Sequence, residues 1–258
     1  MRFQLLPSTF NDDGSASPRQ HLTCFVVDDR VAFDAGSLAM AASDLQKRQI
    51  RDVVLTHAHL DHVAGLPLFI DDLFATLDEP VRIHASEEVI VILERDIFNW
   101  DVYPRFSELS NKNGAVLEYK TFKPGVEFEI GNLSITAIEV NHKVPSAGFV
   151  ISNGKGTIAL TGDTAKMDGF WQTINSLPDL SAILIECAFP DDLADLADIS
   201  HHLTPSRVAC ELKKFKRTDC PIFVINLKPM YRERTVEQLN ALGIDSLQIL
   251  EVGKIYEW

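Results

Sequence analysis

Four side chains that can bind metal ions lie within one short segment of the chain, THAHLDH at residues 56–62. The pattern is His57-x-His59-x-Asp61-His62, and it directly follows the apolar run DVVLT. Imidazole nitrogens and carboxylate oxygens are ligands that Zn²⁺, Mn²⁺ and Fe²⁺ accept. His57 and His59, two residues apart in an extended turn, can face one ion, while Asp61 and His62 can face a second. The segment therefore predicts a metal-binding loop and a two-metal hydrolase.

Further ligands must come from other parts of the chain, because one loop does not complete two sites. Candidates should follow apolar strands, where a side chain projects from the edge of a sheet. His142 ends the run LSITAIEVNH, and Asp163 ends the run TIALTGD. A carboxylate between two cations can bridge them, so Asp163 is the predicted bridging ligand.

The elements that must position these residues are short strands with helices between them. Ten apolar or β-branched segments predict strands: CFVVDD, VAFDAG, DVVLTH, VRIHA, VEFEIGN, LSITAIEV, GFVISNG, TIALTGD, AILIEC and IFVINL. Turn signals at Asp29-Arg30, Gly131-Asn132 and Asn153-Gly154 predict hairpins. Helices are predicted over 63–75, 87–98, from Pro205 after an N-cap at Thr204, and over 231–242. This alternation favours central sheets with helices outside.

Composition limits the protein class. The chain has 258 residues, 46% of them hydrophobic, so it is long enough for one large globular domain over residues 1–258. It has no apolar run of membrane-spanning length, no secretory signal is expected at its start, and four cysteines make no disulfide framework. A cytoplasmic protein is expected. The formal charge of −13 argues against long nucleic acids as partners.

Several motifs together resemble the metallo-β-lactamase superfamily. They are THAHLDH, NH at 141–142, TGDT at 161–164 and DAGS at 34–37, and they span essentially the whole chain in order. The resemblance implies an α/β fold, an αββα sandwich of two mixed β-sheets flanked by helices, with metals at one edge. It also implies two divalent ions as cofactors, Zn²⁺ first, with Mn²⁺ or Fe²⁺ as alternatives.

Finer motifs resemble the class II cyclic-nucleotide phosphodiesterases. These are HAHLDHVAGLPLFIDD, FNWDVYPRF at 98–106, IECAF at 185–189 and HHLTP at 201–205. The resemblance implies hydrolysis of a 3′,5′-cyclic nucleotide such as cAMP by metal-activated water, with Asp61 accepting a proton or orienting the nucleophile. It further implies that Glu186 orients His202, which acts near the leaving group. His202 is chosen over His201 because it directly precedes Leu-Thr-Pro.

One position departs from the family pattern. Where the family ends a late strand with a histidine, this chain has INLKP, which places Asn226 at the position of the second metal's last ligand. An amide oxygen binds zinc more weakly than an imidazole does. A weaker second site, a harder ion such as Mn²⁺, or replacement of the ligand by His201 all remain open.

The substrate is expected to be a small phosphorylated molecule. Lys228 is a candidate for a substrate phosphate, and Trp100 and Tyr103 are candidates for stacking on a base, although packing roles are also open. Other hydrolases of the same fold are alternatives, namely an RNase Z-like nuclease, a lactonase or a thioesterase, and so is an inactive metal-binding sensor. No membrane partner is expected, and a homodimer is left open.

Overall fold

The computed structural model describes residues 1–218 and 220–258. Its strands, in chain order β1 to β16, are Arg2–Leu5, Phe25–Val27, Val31–Phe33, Asp52–Val54, Val81–Ala85, Ser110–Asn111, Gly114–Ala115, Leu117–Thr121, Glu127–Ile130, Leu133–Glu139, Ala147–Ser152, Thr157–Leu160, Ala182–Glu186, Ile222–Ile225, Leu247–Ile249 and Ile255–Glu257. Its α-helices, α1 to α9, are Leu38–Ala41, Asp44–Gln49, Leu60–Val63, Gly65–Leu73, Glu87–Asp96, Gly169–Ser176, Ala194–Ser200, Pro205–Leu212 and Arg232–Ala241. Short 3₁₀ helices cover Phe106–Glu108, Asp191–Leu193 and Pro229–Tyr231.

These elements form two compact units. The first unit comprises residues 2–123 and 252–257, and the second unit comprises residues 124–251 with the terminal residues 1 and 258. The prediction that residues 1–258 form one domain stays a prediction.

The first unit is built on a seven-stranded mixed sheet with the order β16-β1-β2-β3-β4-β5-β8. The pairs from β16 to β3 are antiparallel, and those from β3 to β8 are parallel. Phe33 of β3 pairs with Val54 of β4. Because these two strands are parallel, the residues that follow them, Asp34 and Thr56 among them, emerge at the same edge of the sheet.

The second unit is built on another seven-stranded mixed sheet, with the order β15-β14-β13-β12-β11-β10-β9. Strands β12 to β15 are parallel, whereas β9 to β12 pair antiparallel. Strand β10 therefore runs in the same direction as β12, β13 and β14. The carboxyl ends of these four strands meet at one edge, and His142, Asp163, Glu186 and Asn226 lie at or just beyond them.

Apolar side chains bury one core in each unit. In the first unit, Leu66, Phe69 and Ile70 of α4 pack with buried strand residues such as Val53 and Ile83. In the second unit, the buried set that packs against the sheet includes Phe170, Trp171, Ile174, Val208 and Leu239. Burial of these side chains removes apolar surface from water and anchors the strand ends that carry polar residues.

The prediction of two mixed β-sheets with flanking helices is confirmed. All ten predicted strands are present, and the three predicted hairpin turns join β2 to β3, β9 to β10 and β11 to β12. The helix predicted over 63–75 is observed as α4, Gly65–Leu73, and the ligand segment forms a separate short helix before it, α3, Leu60–Val63. Strands such as β8, whose sequence is LEYKT, were not predicted, since their charged residues give no apolar pattern. Among the described residues, no helix is both long and apolar enough to cross a bilayer.

A partly buried ion pair joins β4 to β5 in the first sheet. Arg82 donates from Nε and Nη2 to the two carboxylate oxygens of Asp52, at 2.8 and 2.7 Å, and His84 Nε2 lies 2.8 Å from Asp52 Oδ1. Burial raises the pKa of Asp52, but the hydrogen bonds and charges of Arg82 and His84 outweigh burial and lower it from 3.8 to about 2. The contacts of His84 thus agree with a strand residue.

Replacing Asp52 by asparagine is expected to lower the free energy of unfolding at pH 7 by about 1 kcal/mol, because solvent screens this half-buried pair and reduces the effect of the pKa shift. The pKa of the folded state is depressed, so the stabilisation is complete above pH 4 and is lost as the pH falls towards 2. Urea unfolding at pH 7 and at pH 3 measures this difference, which should shrink at pH 3. Glu79→Gln is the matched control, because Glu79 contacts the same arginine from an exposed position and should cost less than about 0.5 kcal/mol. An equal loss in both variants would contradict the prediction.

Candidate metal centre

The ligand segment of the first unit is half loop and half helix. His57 follows β4, His59 is the residue before α3, and Asp61 and His62 lie in the first turn of that helix. The ring centroids of His57 and His59 are 4.6 Å apart, and those of His57 and His62 are 4.1 Å apart. The change from extended chain to helix thus brings the three imidazoles of His57, His59 and His62 together.

Asp34 holds this segment in place from the end of β3. Its carboxylate accepts hydrogen bonds from Thr56 N at 2.8 Å and from Thr56 Oγ1 at 2.9–3.0 Å, and His62 Nδ1 lies 2.6 Å from Asp34 Oδ2. The Thr56 hydroxyl also lies 2.9 Å from His57 Nδ1. Burial raises the pKa of Asp34, opposed by the charge and hydrogen bond of His62 and by Thr56. Asp34 therefore orients Thr56 and His62 through hydrogen bonds.

Close backbone packing explains the glycine in DAGS. A Cβ atom on Gly36 would lie 2.0 Å from the carbonyl oxygen of Asp61 and 2.8 Å from Thr23 N. Those two groups are joined by a hydrogen bond of 2.7 Å from Thr23 N to Asp61 O. Only glycine permits this approach, which fixes the start of α3 against the segment after β3.

In the second unit, two predicted metal ligands and the predicted catalytic histidine form a cluster. One ligand atom from each of His142, Asp163 and His202 lies within 4.8 Å of the others. The rings of His142 and His202 are 5.0 Å apart. His142 Nδ1 lies 3.0 Å from the carbonyl oxygen of His201. Because a carbonyl only accepts, Nδ1 carries the proton and the neutral ring has its lone pair on Nε2.

Glu186 and His202 form a buried pair, as the resemblance implied. Glu186 ends β13, is fully buried, and lies 2.7 Å from His202 Nδ1. Its carboxylate also accepts from the backbone N–H groups of Thr164, Ala188 and Leu203 at 2.9–3.2 Å. Burial lowers the pKa of His202, but the charge and hydrogen bond of Glu186 more than offset this and raise it. Burial raises the pKa of Glu186, against the opposing charge of His202.

Asn226 lies beside Asp163, and its predicted role as a metal ligand stays a prediction. Its amide Nδ2 donates to Asp163 Oδ1 at 2.5 Å. The backbone of Asn226 has φ of +57°, a left-handed conformation that asparagine tolerates better than most residues. One carboxylate oxygen of Asp163 is therefore engaged by the amide nitrogen.

The donor sets of both units fit divalent metal ions. In each of His57, His62 and His142, Nδ1 lies within hydrogen-bond distance of a hydroxyl, carboxylate or carbonyl oxygen of the protein. A partner at Nδ1 fixes the ring orientation and favours a lone pair on Nε2, which is how proteins prepare metal-binding histidines. Carboxylates at Asp61 and Asp163 add the oxygen ligands that Zn²⁺, Mn²⁺ and Fe²⁺ all accept.

The remaining candidates have other contacts. His201 Nδ1 lies 3.1 Å from Asn141 Oδ1. The positive charge of Lys228 acts to lower the pKa of His202. In the first unit, Trp100 is 54% exposed and donates from Nε1 to Glu108 at 3.3 Å. The Tyr103 hydroxyl donates to Asp71 at 3.2 Å, and its ring packs on Phe106. Their substrate-binding roles stay predictions.

Two residues of the site were not among the candidates drawn from the sequence. Asp34 was noted only within the DAGS motif, and Thr56 only as the start of THAHLDH. A buried aspartate directly after an apolar strand was the available signal. Its partners follow β4, which lies beside β3, so only the strand pairing reveals the contact.

Comparison with known proteins gives consistent matches. Residues 29–219 match the family described as "Beta-lactamase superfamily domain". A protein of Yersinia pestis named "Probable 3′,5′-cyclic-nucleotide phosphodiesterase" is 27% identical over 241 residues, which cover 80% of this chain and 68% of that protein. A "3′,5′-cyclic-nucleotide phosphodiesterase" of Aliivibrio fischeri is 27% identical over 65% of this chain, and the match spans only 54% of that protein.

Among solved structures, unliganded yeast PDE1 superposes with a TM-score of 0.75 at 16% sequence identity. The match covers 98% of each chain. At this level of identity the likeness concerns the fold, and it extends over both units of the present chain.

Proposed function

The chain belongs to the β-lactamase superfamily domain family, and from that premise we propose that it is a metal-dependent phosphodiesterase acting on a 3′,5′-cyclic nucleotide such as cAMP. The observation that carries the proposal is the buried Glu186–His202 pair beside His142 and Asp163. Metal ligands alone would suit many hydrolases. An imidazole held by a buried carboxylate adds a proton donor, which a poor leaving group such as a ribose alkoxide requires.

We propose that the protein binds two divalent ions and that zinc is the expected metal. His57, His59 and His142 would hold one ion, and Asp61, His62 and Asp163 the other, with Asn226 at the position of a last ligand. Orientation of His57 and His62 through Thr56 and Asp34 supports this assignment. When bound, the ions neutralise charge on the phosphoryl oxygens and lower the pKa of a water molecule to about 7.

The side chains of the protein then complete the reaction. Asp61 orients the attacking water or accepts its proton. As the bond between phosphorus and the ribose oxygen breaks, His202 donates the proton on Nε2 to that oxygen, which leaves as a hydroxyl group of the nucleoside monophosphate. Glu186 accepts from His202 Nδ1, and its charge favours the doubly protonated ring, in which Nε2 carries the transferable proton.

The proposal is tested by offering several substrate classes to the purified protein in the presence of Zn²⁺, Mn²⁺ or Fe²⁺. Cyclic mononucleotides, cyclic dinucleotides, bis(p-nitrophenyl) phosphate, a lactone and a thioester cover the alternatives of the same fold. Turnover of a cyclic mononucleotide to the monophosphate is the expected result. Absence of phosphodiester turnover with every metal would overturn the proposal, and turnover of the lactone or thioester alone would reassign the enzyme.

The contact of Asn226 gives a prediction about metal content. Because its amide nitrogen engages Asp163 Oδ1, we expect the wild-type protein to retain about one tightly bound ion per chain after dialysis. Asn226→His offers an imidazole instead and should raise the content to about two ions. Metal is counted by mass spectrometry of digested protein. Asn240→His, on the exposed face of α9, is the matched control and should leave the count unchanged. Two tightly bound ions in the wild type would refute this reading.

The small phosphorylated substrate remains the proposed partner, because bound metal ions can dominate the local field although the chain carries a net charge of −13. A cytoplasmic location, the absence of long nucleic acids and membranes as partners, and an open choice between monomer and homodimer remain part of the proposal.

A further inference from the structure

The residue that follows Asp163 forms hydrogen bonds in two directions within the second unit. Thr164 is fully buried just beyond β12, and its backbone N–H and its hydroxyl contact two different segments of the chain. From these contacts we infer that Thr164 is a positioning residue, which fixes His142 and His202 relative to Asp163. The inference rests on the proposed function, because it takes His142 and Asp163 to be metal ligands.

On the side of His142, the Thr164 hydroxyl lies between two backbone groups. It accepts from Asn141 N at 3.1 Å and donates to the carbonyl oxygen of Ala165 at 3.1 Å. The two segments are joined further by Ala165 N, which donates to the carbonyl oxygen of Asn141 at 2.7 Å, and by Asn141 Nδ2, which donates to that of Lys166 at 2.9 Å. Because Asn141 directly precedes His142, these bonds fix the point at which the His142 side chain leaves the backbone.

On the side of His202, the backbone N–H of Thr164 shares an acceptor with the imidazole. Thr164 N donates to Glu186 Oε1 at 2.9 Å, and His202 Nδ1 lies 2.7 Å from the same oxygen. Because Glu186 is fully buried, this oxygen depends on the protein for its hydrogen bonds and holds both donors in place. One atom of Glu186 therefore ties the ring of His202 to the chain beside Asp163.

A second link joins the same groups through His201. His142 Nδ1 donates to the His201 carbonyl oxygen at 3.0 Å, and His201 Nδ1 lies 3.1 Å from Asn141 Oδ1. The Lys166 carbonyl oxygen can only accept, so the amide nitrogen of Asn141 faces it and Oδ1 faces His201. His142 is thus anchored both at its backbone and at its ring, and loss of one anchor should weaken metal binding without abolishing it.

Two substitutions of Thr164 separate hydrogen bonding from packing. Thr164→Val keeps the shape of the side chain and removes the hydroxyl, whereas Thr164→Ser keeps the hydroxyl and removes a buried methyl group. If the hydroxyl positions His142, Thr164→Val should weaken zinc binding about ten-fold and Thr164→Ser should change it less than about two-fold. A residue that only packed would give the opposite order, with Thr164→Ser the more damaging change.

The measurement is a zinc dissociation constant obtained by competition with a chromogenic chelator. It is made at a temperature at which the unfolding curve of each metal-free variant shows the protein to be folded. Thr121→Val, at the exposed end of β8, is the matched control and should leave zinc affinity within about two-fold of wild type. Unchanged affinity in Thr164→Val would overturn the inference, and so would a loss in Thr164→Ser as large as that in Thr164→Val.

Asn141→Ala tests the same anchor from an exposed position, so it does not disturb the core. It removes the side-chain bonds to Lys166 and His201 and should weaken zinc binding about ten-fold. Asn240→Ala, on the exposed face of α9, is its matched control and should leave the affinity unchanged. If Thr164→Val does not fold, Asn141→Ala carries the test, and unchanged zinc affinity in that variant would overturn the inference.

The zinc measurement needs no substrate, so the two proposals fail separately. Turnover of cAMP by the wild type, with unchanged zinc affinity in Thr164→Val, would overturn the role of Thr164 and leave the phosphodiesterase standing. Weakened zinc binding in Thr164→Val but not in Thr164→Ser, without phosphodiester turnover by the wild type, would support the role of Thr164 and overturn the proposed reaction.

Discussion

Replacing His202 by alanine is expected to lower kcat for cAMP by about 10²–10⁴-fold, the usual contribution of a positioned proton donor. The effect should depend on the leaving group. A ribose alkoxide needs a proton as it departs, whereas p-nitrophenolate does not, so kcat for bis(p-nitrophenyl) phosphate should fall by less than about ten-fold. Steady-state kinetics with both substrates, together with the metal content of the variant, measures the difference.

The pH profile provides a second readout for His202. Glu186 raises the pKa of this imidazole against the opposing effect of burial, so the donor stays protonated above the usual value of 6.5. Activity on cAMP should fall on the alkaline side, and this limb should disappear in His202→Ala. His21→Ala, at an exposed position of the first unit, is the matched control. Equal losses on both substrates, accompanied by loss of metal, would identify His202 as a ligand instead of a proton donor.

Replacing Asp34 by asparagine is expected to weaken zinc binding by about 10–100-fold with little change in volume. In the wild type, Asp34 accepts from Thr56 and pairs with His62 Nδ1, which leaves the His62 lone pair on Nε2. An asparagine that still accepts from Thr56 turns its amide N–H groups towards His62. The ring must then accept at Nδ1 and carry its proton on Nε2, so it loses the lone pair that a metal needs.

The measurement is a zinc dissociation constant obtained by competition with a chromogenic chelator, alongside a thermal unfolding curve for each protein. Asp101→Asn changes the same group at an exposed site and should leave zinc affinity within about two-fold of wild type. Unaltered affinity in Asp34→Asn would mean that His62 is oriented by other contacts. The unfolding curve shows whether the variant is merely less stable. A lower unfolding temperature by itself does not reduce the zinc affinity of the molecules that remain folded, so it would not account for the predicted loss.

How much of the site could be read from the sequence depended on the distance between its parts along the chain. The loop ligands from His57 to His62 share one turn, so their grouping follows from backbone geometry. Glu186 and His202 were paired only through family resemblance, and the structure brings them to 2.7 Å. The hydrogen bond from Asn226 to Asp163 joins residues far apart in the chain, and the sequence predicted a metal contact at that position.

The sequence by itself determined ten of the strands, the three hairpin turns and the strand-end positions of His142 and Asp163, and it predicted the metal-binding character of the loop. These features depend on local alternation of apolar residues and on turn chemistry, which act over a few residues. Only the tertiary structure decided that Asp34 forms hydrogen bonds with Thr56 and His62, that Asn226 donates to Asp163, and that the Thr164 hydroxyl accepts from Asn141. Such contacts depend on which strands pair and on how side chains pack, and neither is encoded by spacing along the chain.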